Sequence, residues 1–134
     1  GDRGAADYWD TLAEKAFGTY RLLLVDGTRH PIIGVYLSHL RNKKEDPAKG
    51  TYPDENYARE VMQLFTFGLV HRQKNGSIKL GENNLPIETY DNSVISELAR
   101  VMTGLSFSKT NNANKTNVKK LIIYYIIIKK WTKK

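Results

Sequence analysis

The chain has 134 residues and a formal charge of +7, from 21 Lys and Arg against 14 Asp and Glu, and this length holds one domain at most. Residues 109–134 contain eight Lys and no acid, which leaves 13 bases against 14 acids in residues 1–108 and excludes a single-sign field over a folded body. The absence of Cys excludes disulfides, cysteine-ligated zinc, iron–sulfur clusters and thiol catalysis.

Helical periodicity appears first around Tyr8, Trp9, Leu12, Ala13, Ala16 and Phe17, with Asp7 placed to cap the start. Gly18 and Thr19 interrupt or kink this helix, and Tyr20 to Val25 continues it up to an Asp26-Gly27 turn. The next helix opens at His30-Pro31, because proline at the first helical position lacks only an N–H that would have had no partner. Ile33, Tyr36, Leu37 and Leu40 line one of its faces, and His39 falls on the solvated one. Arg41 to Pro53, charged and holding two prolines and a glycine, reads as a solvated loop.

Asp54 to Gly68 carries the clearest local signal: Asp54 as N-cap, Glu55 in the first turn and Gly68 as a left-handed stop. Tyr57, Val61, Leu64 and Phe65, widened by Ala58 and Met62, form the apolar stripe of a buried central helix. Glu55 and Arg59 are spaced for an i,i+4 ion pair. From Leu69 to Thr89 the period changes, and Lys74-Asn75-Gly76-Ser77 predicts a type I′ hairpin turn. Asp91 caps a last helix that turns Val94, Ile95, Leu98, Ala99, Val101 and Met102 inward and ends at Gly104. Asn111 to Asn117 is polar and structureless in character.

Few residues invite a chemical reading. Of the three histidines, His30 reads as a cap or packing residue, and none sits in a metal-ligand motif. His71 to Glu82 has the Gly, Ile and terminal Glu of a twelve-residue calcium loop, but His71 and Gln73 stand where carboxylates are needed. No phosphate loop or nucleophile elbow occurs. Neither a metal nor a cofactor is expected. The polar strip Asn56, Arg59 and Glu60, taken with His30, is the best candidate for a catalytic cluster. The competing structural reading has Arg59 bracing neighbouring carbonyls and carboxylates between helices.

The tail sets Lys pairs on both sides of Leu121–Ile128. As a helix that run spans ~12 Å of a ~30 Å hydrocarbon layer, too short for a transmembrane segment. Adsorption to an anionic membrane or nucleic acid is the functional reading of this tail. A second reading starts from composition: Lys, Asn, Ile and Tyr, all with A/T-dominated codons, make up 19 of its 26 residues against 23 of the preceding 108, and Arg vanishes. That pattern fits A/T-rich sequence read after a frameshift or gene break.

DENYAREVMQLFTFG (54–68) resembles the signature helix of the bacterial family catalogued as domain of unknown function 1800, usually NENYARELMELFTLG. AFGTYRLLL (16–24), HPIIGVYLSHLRNKK (30–44) and NGSIKLGENNLPIETYDNSVISELARVMTGLSF (75–107) resemble further segments of it. The resemblance spans about residues 7–107. Departures are Asp54 for the usual Asn, Gln63 for Glu and Leu105 for Trp, of which Gln63 matters where that carboxylate acts chemically. The family implies a long, mainly helical, often exported protein with no established activity. An internal fragment is the corresponding expectation here, since the chain opens Gly1-Asp2-Arg3-Gly4 with no initiator Met or apolar leader.

The expectation is therefore an all-α partial domain of about four to five helices with one small β-hairpin over residues 1–108, followed by a Lys/Asn/Ile-rich tail, 109–134, outside the native domain. The leading functional expectation is a structural or interaction role in an exported or periplasmic bacterial protein, partnered by the remainder of its own parent chain and not by nucleic acid. The alternative is an enzyme whose site, around His30, Asn56, Arg59 and Glu60, is completed by other parts of that chain.

Overall fold

Each helix is set by where its backbone is capped and broken. The computed structural model describes residues 2–107 and the backbone of 121–123, and among these residues the fold is mainly helical. The first helix, α1 (Asp2–Lys15), has an acid in its first turn and a base in its last, both favourable to the helix dipole. It starts earlier than expected, so Asp7 lies inside it and is no cap. Gly18 and Thr19 do end it, and the Thr19 hydroxyl accepts from Leu22 N at 3.4 Å to open α2 (Tyr20–Arg29).

No turn forms at Asp26-Gly27. The Thr28 hydroxyl donates to the Leu24 carbonyl and His30 N–H to the Gly27 carbonyl, so α2 runs on until Pro31 forces His30 into extended backbone. His30 then caps α3 (Pro31–Tyr36), its Nδ1 accepting from Ile32 N at 3.3 Å. This helix stops before Leu37. Ser38 and Arg41 both take φ +63, which reverses the chain. The reversal leaves Tyr36 on the surface and carries His39, expected in solvent, into the interior at 1% exposure.

The loop that follows is tied at both ends. Buried Asn42 donates to the Asp54 carbonyl at 2.9 Å and accepts from Asp54 N at 2.8 Å, while its own carbonyl accepts from Gly104 N. Asp54 Oδ1 in turn accepts from Asn56 N, so the expected capping residue works from just outside α4 (Asn56–Glu60).

The expected single helix from Asp54 to Gly68 divides into two forms. After Glu60 it becomes a π-helix over Val61–Thr66, held by Phe67 N to the Met62 carbonyl and the Thr66 hydroxyl to the Val61 carbonyl, and it ends at Gly68 with φ +75. A π turn holds one more residue than an α turn, so side chains after Val61 rotate off the predicted stripe. Tyr57 and Ala58 are buried, whereas Leu64 is exposed. The helix is thus central only in its first half.

The ribbon at 69–89 has three segments in place of the expected two. Bridges pair Val70 with Glu88, Arg72 with Ile78 and Leu80 with Pro86. The N–H of His71 donates to the Ile87 carbonyl, that of Ile87 to Lys79, and that of Lys79 back to His71, closing a ring of three bonds. The Asn-Gly turn is also of another type. Gln73 and Ser77 flank a three-residue loop with only Gly76 at positive φ, +86, and Gly81 and Leu85 flank a second with Asn84 at +58.

The last helix, α5 (Asn92–Val101), is capped as expected: Asp91 Oδ1 accepts from Ser93 N and Val94 N. Ile95 and Ala99 pack with Ala58 of α4 to form the core, flanked by Met62, Tyr90 and Leu98. Val94 and Val101, expected inward, are exposed because this contact covers a narrower stripe than the sequence offers. Finally β1 (Leu105–Phe107) pairs antiparallel with β2 (Leu121–Ile123). The polar stretch Asn111 to Asn117 lies outside the described residues. No described helix is long and apolar enough to cross a membrane.

Candidate functional site

The polar residues singled out from sequence fall into separate groups. His30, only 6% exposed, places Nε2 at 2.8 Å from Asp7 Oδ2, and Tyr8 stacks at a tilt with ring centroids 5.1 Å apart. A carboxylate only accepts, so Nε2 carries the proton, while Nδ1 already accepts from Ile32 N. Both nitrogens are engaged. His30 therefore joins α1 to the start of α3 and keeps no lone pair for a substrate proton.

Arg59 belongs to another network. Its Nη2 donates to Glu55 Oε2 at 2.7 Å, the i,i+4 pair expected from sequence, and its Nη1 reaches Asn92 Oδ1 at 3.4 Å. Glu55 Oε1 accepts from the Ser96 hydroxyl at 2.7 Å. The Ser96 bond, with help from Arg59, holds the Glu55 carboxyl below its usual range. These contacts brace α4 against α5. Asn56 and Glu60 enter no side-chain hydrogen bond among the described residues, and neither they nor Arg59 bond to His30.

Sequence reasoning passed over His39. Its Nε2 lies 2.9 Å from the Thr28 carbonyl, which can only accept, so the proton sits there and Nδ1 presents a bare lone pair. That atom is buried without a hydrogen-bond partner. Burial lowers the pKa of the ring, against a smaller opposing effect of the Thr28 bond. Tyr57 stacks on it at 4.1 Å between centroids, and burial raises the Tyr57 phenol above its usual range. Because Thr28 spends its hydroxyl proton on the Leu24 carbonyl, the Tyr57 O–H donates to Thr28 Oγ1. No single-sequence signal marked His39; its depth comes from the left-handed residues around it.

The Thr28–Tyr57 pair forms one wall of a cleft of about 160 Å³ between α1, α2, α3 and the α4–π segment. Leu12, Leu23, Leu24, Ile33 and Phe65 supply apolar walls. Tyr8 and Tyr20 add two more phenols at its edge, and burial raises the pKa of Tyr8. Among the described residues, no three His, Asp or Glu side chains converge for a metal.

Fold and site together define a mainly helical chain in which His30, Tyr57, Arg59 and Glu55 join one helix to another. The chain belongs to the family described as protein of unknown function (DUF1800), which it matches over residues 2–122. The match extends past the residues compared above, reaching β2. No curated protein and no solved structure matches the chain. Its biochemical activity is therefore unknown.

Proposed function

We propose that this chain is a structural or interaction module of a larger, exported bacterial protein, its apolar faces covered by other parts of the same parent chain. The observation that carries this reading is the imbalance of apolar surface. Among the described residues six apolar ones are buried, while fifteen large ones are more than 40% exposed, among them Trp9, Phe17, Tyr36, Leu64 and Phe67. A core this small against that many exposed large side chains buries little apolar surface for a domain that folds alone. Trp9 tests it. With Trp131→Phe to leave one reporter, acrylamide should quench Trp9 strongly in the 134-residue chain and weakly in the full product of the locus. Equal quenching in both would reject the module reading.

A second reading is an enzyme completed by those other segments around His30, Asn56, Arg59 and Glu60. The half-exposed Arg59 side chain, near Asn56 and Glu60 whose side chains enter no hydrogen bond among the described residues, supports it. A structure of the full product that seals this strip against protein, with no solvent space beside Arg59, would exclude it.

A further inference from the structure

The cleft between α1, α2 and α3 has a feature that the fold does not explain. Gly27 sits inside α2, two residues before its end, without a positive φ. Glycine is unfavourable at an interior helical position, and alanine would be preferred. Nothing crowds it. A Cβ built on Gly27 would meet no atom closer than the Tyr8 hydroxyl, at 4.0 Å. Since neither backbone conformation nor packing requires glycine, its effect is to keep space open between α2 and Tyr8 at the cleft they both line.

Three properties of that space select an occupant. Its volume, about 160 Å³, is close to the ~150 Å³ that holds benzene in an apolar protein cavity, so it fits one six-membered ring with a small substituent. No charged side chain lines it, and an ionised ligand would be buried without a counter-charge. The phenols supply the polar handle. Tyr57 gives its proton to Thr28, but Tyr8 and Tyr20 enter no hydrogen bond among the described residues, leaving two O–H donors for a ligand acceptor.

We infer that the cleft binds an uncharged single-ring aromatic compound bearing one hydrogen-bond acceptor, of about the size of acetophenone. The ring lies among Leu12, Leu24 and Phe65, and the acceptor takes the hydroxyl proton of Tyr8. The inner walls of this site are distinct from the outer apolar faces, and Tyr20 at its rim belongs to both.

The test is ligand-observed saturation-transfer NMR on the 134-residue chain with acetophenone, with toluene and benzoate as comparisons. Acetophenone should give a saturable signal, and benzoate should bind about tenfold or more weakly for want of a counter-charge. Gly27→Leu raises helix propensity while its side chain fills the space, so it should abolish binding with helical circular dichroism unchanged. Tyr8→Phe should weaken acetophenone and leave toluene unaffected. The inference fails on any of three results: no saturable signal, equal binding of benzoate, or binding retained in the Gly27→Leu chain.

Discussion

A bare imidazole nitrogen in a protein interior is tolerable only while the ring stays neutral, and this gives His39 a consequence for stability. Protonation would place a charge beside Tyr57 with no carboxylate to answer it, which is why burial lowers the pKa of the ring. In the unfolded chain the ring titrates near 6.5. Between the depressed folded value and 6.5 the unfolded chain binds more protons, so stability rises with pH across that window and is lost as pH falls below it. His39→Gln keeps an N–H for the Thr28 carbonyl and cannot titrate. Urea midpoints from pH 7.5 to 5.5 should fall in the parent chain and fall less in the variant. Parallel curves would show that His39 does not carry the effect. Glu55 and Asp91, both shifted down by hydrogen bonds, add a later loss of the same sign at more acidic pH, where such carboxylates take up protons.

Elements were legible in the sequence where one local interaction decides them and obscure where tertiary geometry does. Asp91 capping α5 and His30-Pro31 opening α3 each depend on a side chain and a backbone a few residues apart. Asp26-Gly27 misled, because glycine permits a turn and does not impose one; α2 ends at Arg29, with His30 before Pro31 as its cap. The π segment lies under a period-3.6 pattern, Val61, Leu64 and Phe65, that its wider turn does not follow, so the apolar stripe read from sequence holds only as far as Val61. Of the candidate site, the Glu55–Arg59 pair was legible from i,i+4 spacing, whereas the partner of His30, Asp7, lies 23 residues away. Asn42 belongs with these long-range contacts. Its amide satisfies both the N–H and the carbonyl of Asp54, fixing the charged loop to the start of α4. Asn42→Ala leaves that backbone pair without side-chain partners, at a cost of about 1–3 kcal/mol. Urea unfolding should show this as a lower midpoint with an unchanged slope. A midpoint equal to the parent's would mean that water replaces the amide at no cost.

At the scale of the whole molecule the charge divides a nearly neutral body from a tail with eight Lys and no acid, and two observations set the end of the native domain at different residues. Composition sets the boundary near residue 108, as a frameshift would. The match to residue 122 and the pairing of β1 with Leu121–Ile123 set it later. Truncation separates the two. A chain ending at 108 loses β2 and leaves the backbone of Leu105–Phe107 unpaired on that side; with six apolar residues buried among those described, it should melt at low temperature with little cooperativity. A chain ending at 124 keeps the pairing, and where the early tail is native to the domain it should melt higher. Equal melts for both would place all of 109–134 outside it, and sequencing the locus would then show whether a break in frame lies near residue 108. The same pair of chains tests the tail as a binding element. Adsorption to anionic vesicles or duplex DNA carried by its lysines should weaken steeply with salt and vanish on truncation at 108, whereas binding unchanged by that truncation would assign it to the body.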